Sequence, residues 1–203
     1  MNRMLSALLM VLPASVLAVA QAPAQTSAPP VSIVGIAFNG SSCPNDGRSA
    51  DVQLLPLGSS QPTRFRLRTS TYVARQGPGV ALALRQRFCT ITVTARVAQG
   101  YQFSLADVRA RGRADLAAGI TGTQQSSYLF PFRPGPPATF STVLSGPVDT
   151  AYLRTDRTNL WSPCGGEFPL TIRTQVFLGG NPAIPAAMTM ASPQVYRLRW
   201  RRC

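Results

Sequence analysis

Three runs of alternating arginine hold much of the chemistry available to this chain: Arg64, Arg66 and Arg68; Arg109, Arg111 and Arg113; Arg197, Arg199 and Arg201. On an extended strand, every-second-residue spacing points three guanidinium groups from one face. Neighbours lie about 6–7 Å apart and each run spans about 13 Å. A guanidinium is a planar fork of N–H donors that matches carboxylate, sulfate or phosphate oxygens with paired hydrogen bonds. These nine residues form the candidate anion-binding set. All 20 basic residues of the chain are arginine, and there is no histidine and no lysine. A Ser-His-Asp triad, a Cys-His dyad, a Ser-Lys pair, a Schiff-base lysine and a His-ligated metal are therefore excluded.

The remaining catalytic resource is a pair of carboxylates, as in glycoside hydrolysis, where two must lie about 5–10 Å apart across a cleft. The acids are Asp46, Asp51, Asp107, Asp115, Asp149, Asp156 and Glu167. Asp149, Asp156 and Glu167 flank Trp161-Ser162-Pro163-Cys164 and are the candidates to converge. The competing reading makes them surface partners for the excess arginine. Asp46, in Pro44-Asn45-Asp46-Gly47, reads as a turn residue. The sequence gives no calcium loop, and no metal or cofactor is expected.

Cys43, Cys89, Cys164 and Cys203 are the only cysteines. They lack C-x-x-C spacing, which argues against a Cys₄ metal site. An even count in an exported chain reads as two disulfides. Of three possible pairings, Cys43–Cys89 with Cys164–Cys203 is favoured, since each closes a moderate loop within one half of the chain. Each such loop contributes at most about 4 kcal/mol on the chain-entropy model.

Export is read from the N-terminus. Met1-Asn2-Arg3 is followed by a mostly apolar stretch to Val19, and Ala18-Val19-Ala20 has the small-residue pattern of a signal-peptide cleavage site. Residues 1–20 are expected to be a signal peptide cleaved after Ala20, residues 21–30 an Ala/Pro-rich tail without structure, and residues 31–203 one secreted domain. Removing residues 1–20 takes away only Arg3 and lowers the formal charge from +13 to +12. No later apolar run is long enough for a membrane span.

The elements that must position these residues have the period of strands. Cys89, Ile91, Val93, Ala95 and Val97 alternate with Thr90, Thr92, Thr94 and Arg96. Phe65 and Leu67 alternate with the first arginine run; Tyr196, Leu198 and Trp200 alternate with the third, which points Trp200 inward. Leu170, Ile172, Thr174 and Val176 form a further apolar row. Weaker strands are expected at Val31–Phe38, Asp51–Leu55, Tyr101–Leu105, Ser127–Phe130, Thr139–Leu144 and Ala187–Met190. Ser104–Gly119 could open as a helix with Ser104 as its cap, but Gly112 favours a strand, with Val108, Ala110, Gly112, Ala114 and Leu116 on one face. Gly77-Pro78-Gly79, Pro134-Gly135-Pro136-Pro137 and Gly179-Gly180-Asn181-Pro182 punctuate the strands. The fold class is all-β: a single-domain antiparallel β-sandwich, or a flattened barrel, with two disulfides. Trp161, close to Cys164, is expected to pack against a disulfide and pin a loop. Asn39-Gly40-Ser41 fits an N-glycosylation site.

Several motifs occur in a familiar order: Gly40-Ser41-Ser42-Cys43-Pro44; Tyr72-Val73-Ala74 leading to Gly77-Pro78-Gly79; Cys89; Gly100-Tyr101-Gln102-Phe103; and Arg111-Gly112 with Leu116 and Gly119. Trp161-Ser162-Pro163-Cys164-Gly165 follows, and Tyr196, Leu198, Trp200 and Cys203 close the set. In these the chain resembles the secreted family known as Domain of Unknown Function 4360, over essentially the whole of residues 31–203. The resemblance implies a small secreted protein and transfers no activity and no functional residue.

The functional expectation is a secreted or periplasmic, non-enzymatic binding or envelope-associated protein. Its expected partner is an anionic polysaccharide or cell-envelope polymer, with nucleic acid held only nonspecifically. A hydrolase using paired carboxylates and a structural component of an extracellular matrix are the alternatives. Compositional bias and protection of strand edges are the competing account of the arginines.

Overall fold

The computed structural model describes residues 30–46, 48–55 and 63–203; the expected signal peptide and all of the expected tail but Pro30 lie outside them. In chain order the strands are β1 (Val31–Asn39), β2 (Ala50–Leu55), β3 (Arg64–Thr69), β4 (Val73–Gln76), β5 (Gln86–Val97), β6 (Tyr101–Leu105) and β7 (Val108–Leu116). They continue with β8 (Thr121–Leu129), β9 (Ala138–Ser145), β10 (Val148–Asp156), β11 (Gly166–Gly179), β12 (Ala186–Met190) and β13 (Gln194–Arg202). A single 3₁₀ turn, Leu82–Arg85, precedes β5. Every ladder is antiparallel. Three sheets result, in the orders β1-β5-β11-β8-β9, β10-β7-β12-β4 and β2-β3-β13-β6. Among the described residues no barrel closes, so the flattened-barrel alternative is set aside in favour of the sandwich.

The two four-stranded sheets are halves of one bent layer. Three chain segments run from one sheet into the other across a break of two or three residues: β3 into β4, β6 into β7, and β12 into β13. Backbone hydrogen bonds continue the ladders across the bend. Ala106 N donates to Arg197 O (2.8 Å), Ala191 N to Arg111 O (2.8 Å) and Met190 N to Tyr72 O (3.0 Å). The five-stranded sheet packs against this layer over one contiguous core.

The alternations in the sequence set which side chains enter that core. On β5, Cys89, Ile91, Val93, Ala95 and Val97 are all buried, and so are Leu170, Ile172, Thr174 and Val176 of β11. Burying each large apolar side chain contributes about 1.5–3 kcal/mol, so these rows fix the register: a one-residue slip would expose all of them. Phe65 and Tyr196, opposite each other on β3 and β13, are buried and stacked with ring centroids 4.8 Å apart. Strand β1 changes its buried face at a register shift between Ile33 and Gly35. Val31 and Ile33 point into the core before it, and Ile36 and Phe38 pack on the core after it. The segment that could have opened as a helix is strand β7. Its Val108, Ala110, Ala114 and Leu116 are buried, with Gly112 between them. Gly112 is required by crowding, since a Cβ there would lie 1.9 Å from Thr189 O and 2.5 Å from Tyr152 Oη.

The interior carries hydroxyls as well as hydrocarbon, and its four buried phenols each find a partner, as buried polar groups generally must. Tyr72 Oη is 2.5 Å from Thr174 Oγ1. Tyr128 donates to Asp156 Oδ2 (2.6 Å), Tyr152 to Thr189 O (2.6 Å) and Tyr196 to Gln194 Oε1 (2.5 Å). Burial pushes all four phenols well above the ordinary tyrosine range; at Tyr128 the Asp156 carboxylate adds to it.

Two disulfides join Cys43 to Cys89 and Cys164 to Cys203, closing sequence separations of 46 and 39 residues. The first ties the β1–β2 connection to the middle of the five-stranded sheet. The second ties the β10–β11 loop to the end of β13.

Candidate functional site

The three arginine runs lie on β3, β7 and β13, and all three face outward from the bent layer. Each alternates with buried residues: Phe65 and Leu67 on β3; Val108, Ala110 and Ala114 on β7; Tyr196 and Leu198 on β13. The first and third runs share one sheet. Arg64 sits directly opposite Arg197, and Arg66 opposite Val195. The second run occupies the other half of the layer, across the bend. Arg75 of β4 extends the charge on that side, exposed and paired in register with Ala187.

A groove of about 720 Å³ joins the two halves. One wall is Arg109, Arg111 and Arg113 of β7. Leu153 of β10 flanks them on one side and Ala191, Pro193 and Val195 on the other, and Asp107 also lines the groove. Leu153 and Val195 are large apolar side chains left open to solvent, 67% and 48% exposed. Sequence reasoning missed both. The β10 segment reads as a polar stretch, and Val195 stands just before the arginine run that drew attention. The available signal was their parity, since each alternates with a residue that must face inward.

The guanidinium groups are not equally free. Arg113 donates to Asp149 Oδ2 at 2.6 Å, an ion pair exposed on both sides. Arg199 is half-buried, donates to Thr158 O (2.5 Å), and lies with Arg201 against the Trp161 ring, their guanidinium carbons 5.0 and 4.0 Å from its centroid. Trp161 is stacked with two arginines, and its indole N–H donates to Asn159 Oδ1 at 3.1 Å. Trp200 alternates in register with buried Tyr196 and Leu198 and stands opposite Phe103, yet is 39% exposed near the end of β13. Outside the nine, Arg85 is a structural clamp that donates to the Gln76 side chain and to the carbonyls of Leu178 and Gly180.

The three acids expected to converge do not. Asp156 is wholly buried, bound by Arg154 Nε at 2.5 Å and by the Tyr128 hydroxyl. Asp149 is on the outer face with Arg113, and Glu167 is on the five-stranded sheet beside Arg96 at 3.3 Å. Strand β10 separates them: its residues alternate between layer exterior and interior, so Asp149 and Asp156, seven apart, face opposite ways. Asp149 does stand opposite Asp115 in register, but on open strand surface outside the groove. Asp46 acts as the turn residue expected, accepting from Arg48 N (2.9 Å) and from Ser49 N and Oγ (both 2.8 Å). The backbone bond from Ser49, then that from Arg48, lowers its carboxyl below the usual range. Among the described residues no three acidic, histidine or cysteine side chains are grouped to hold a metal, and no helix is long and apolar enough to cross a membrane.

These features define a disulfide-linked, all-β sandwich with a basic outer face. The chain belongs to the family described as Domain of unknown function (DUF4360), whose model matches residues 29–203. An uncharacterized secreted protein of Arthroderma benhamiae is 32% identical over 188 residues, covering 85% of this chain and 72% of that protein. Two solved structures show distant likeness. One is TmCBM61 in complex with beta-1,4-galactotriose, at a TM-score of 0.31, 9% identity, and coverage of 82% of this chain and 90% of that one. The other is the enzymatically active domain of bacteriophage CBA120 tailspike protein 4, at a TM-score of 0.24, 16% identity, and coverage of 81% of this chain and 19% of that one. At these scores neither bears on function.

Proposed function

We propose that this is an exported, non-enzymatic binding protein whose bent-layer exterior holds an anionic polymer, a polysaccharide or cell-envelope component. Export is supported by the secreted relative, by two disulfides, and by the cleavable N-terminal pattern ending at Ala20. The observation that carries the binding reading is the common outward orientation of the three arginine runs on the bent layer, the second of which lines the groove. Their spacing gives repeated cationic positions along a polymer, and guanidinium forks suit the oxyanions of its repeating units. Leu153 and Val195 add apolar surface on either side of a chain lying between them.

The test is binding of the oxidised protein to acidic and neutral polysaccharides across salt concentrations. Saturable preference for one acidic polymer at physiological salt, weakened by Arg66→Gln with Arg111→Gln, is the expected result. Equal attachment to every polyanion that vanishes as salt rises would reduce the arginines to general charge and overturn the reading.

A further inference from the structure

At the end of the sandwich where the chain terminates, the β10–β11 loop lies along the free edge of β6. Ser162 N donates to Phe103 O (2.9 Å), Phe103 N to Ser162 Oγ (3.0 Å), and Gly165 N to Tyr101 O (2.9 Å). The Cys164–Cys203 disulfide closes this arrangement. The Pro-rich β8–β9 loop reaches across, and its Arg133 donates through Nη1 to Trp161 O at 2.7 Å. Between the loops and β13 lies a cleft of about 390 Å³, lined by Gln102, Arg133, Asn159, Trp161, Ser162 and Arg201 among others.

Its chemistry is specific. Arg133 and Arg201 are the charged side chains of its lining, and no carboxylate lines it. With its amide oxygen turned towards Arg201, Gln102 accepts from Arg201 Nε at 3.0 Å and donates to Ser162 O at 3.2 Å. Arg201 is also held against Trp161 at 4.0 Å. Both guanidinium groups are thereby oriented through one part of the fork, while other N–H donors remain for a ligand. Asn159 and Gln102 supply the amide N–H groups that hydrogen-bond sugar hydroxyls. The volume lies within the range of small-molecule sites, about 300–1,000 Å³. Two cations without an acid nearby favour an anion, and the covalently closed loop limits the ordering cost of holding it.

We propose that this cleft binds a single oxyanion-bearing monosaccharide unit, such as a uronate, at a site separate from the groove. Arg133 and Arg201 would hold the oxyanion, and Gln102 and Asn159 the hydroxyls. The site stands independently of the polymer-binding reading.

The experiment is a ¹H–¹⁵N titration of the oxidised protein, following the indole N–H resonances of its two tryptophans. Trp161→Phe identifies which signal is which. The ligands are galacturonate, a sulfated galactose, galactose and inorganic sulfate. Saturable movement of the Trp161 signal by galacturonate or the sulfated sugar is expected, with Trp200 unmoved and galactose at least about tenfold weaker, as loss of a charged hydrogen bond implies. The response to one acidic sugar over the other separates carboxylate from sulfate ester. Arg201→Gln and Arg133→Gln should each weaken binding by about tenfold or more. Arg66→Gln with Arg111→Gln should leave it unchanged, which distinguishes failure here from failure at the groove. Absence of a saturable Trp161 shift, an equal response to galactose, an equal response to inorganic sulfate, or full binding by both cleft variants would overturn the proposal.

Discussion

Above about pH 10 the folded state should lose stability steeply, because four phenols cannot ionise where they are held. Tyr72, Tyr128, Tyr152 and Tyr196 are at most 7% exposed. Their hydroxyls are engaged with Thr174, Asp156, the Thr189 carbonyl and Gln194. Desolvation is the first cause that raises each above the ordinary value of 10.0. Below about pH 9 each is neutral in both folded and unfolded chains and contributes no pH dependence. Above its unfolded value a phenol in the unfolded chain releases its proton while the folded one keeps it. Unfolding then liberates protons, and stability falls by about 1.4 kcal/mol per pH unit for each group. Four groups together remove about 6 kcal/mol by about pH 11, comparable to the 5–15 kcal/mol that ordinarily holds a domain folded. Arginine stays charged throughout, so loss of cationic repulsion does not compensate. No free cysteine is present to initiate disulfide exchange in the alkaline range. The assay is circular dichroism against pH, with tyrosinate absorbance recorded on the same samples. These four phenols should ionise only as the strand signal collapses. Their reversible ionisation near pH 10 with the strands intact would refute the reasoning.

Three further outcomes follow from the packing. Asp156→Ala leaves the largely buried Arg154 guanidinium without its carboxylate and should cost about 3–5 kcal/mol in chemical denaturation, whereas Leu153→Ala on the same strand should cost well under 1 kcal/mol. Gly112→Ala forces a Cβ against Thr189 O and the Tyr152 phenol, and should destabilise by about 1–3 kcal/mol or more, read as a lower midpoint at unchanged slope. Replacing Cys43 and Cys89 together by alanine opens a 46-residue separation and should remove about 4 kcal/mol, less any residual order in the unfolded chain.

The rows that entered the core were legible in the sequence because their period is 2 and their residues are β-branched or aromatic. The Cys89–Val97 and Leu170–Val176 rows are examples. Strand β8 runs over Thr121–Leu129, longer than the Ser127–Phe130 expected, because its inner face carries Gly122, Gln124 and Ser126, which hydropathy does not mark as core. Strand β10 was hidden for the same reason: Asp156 is an interior residue there, made tolerable by Arg154 and Tyr128, which sit two residues away and on another sheet. Strand β4 was too short to show a period and reads as a lead into Gly77-Pro78-Gly79. The spacing of the arginines gave their outward face. That only Arg109, Arg111 and Arg113 line the groove depends on the bend through Ala106–Asp107 and Ala191–Pro193, which local pattern does not encode. The pinning of Arg199 and Arg201 by Trp161 depends on a loop closed through Cys203, a contact between distant parts of the chain.

The two covalent loops also set how the molecule would respond to pulling. A bridge that spans 46 residues and another that spans 39 carry tension directly between their ends. At about 3.5 Å per extended residue, they withhold about 160 Å and about 135 Å of contour length from any stretch applied at the termini. Strands β2, β3 and β4 and the start of β5, up to Cys89, lie in the first withheld length, and β11, β12 and β13 lie in the second. Under shear the strands bearing the first and third arginine runs, β3 and β13, would stay within closed rings while β1 and the chain from the rest of β5 to β10 extended. A protein anchored by those strands to a polymer network would therefore yield in one portion and keep its grip with the other.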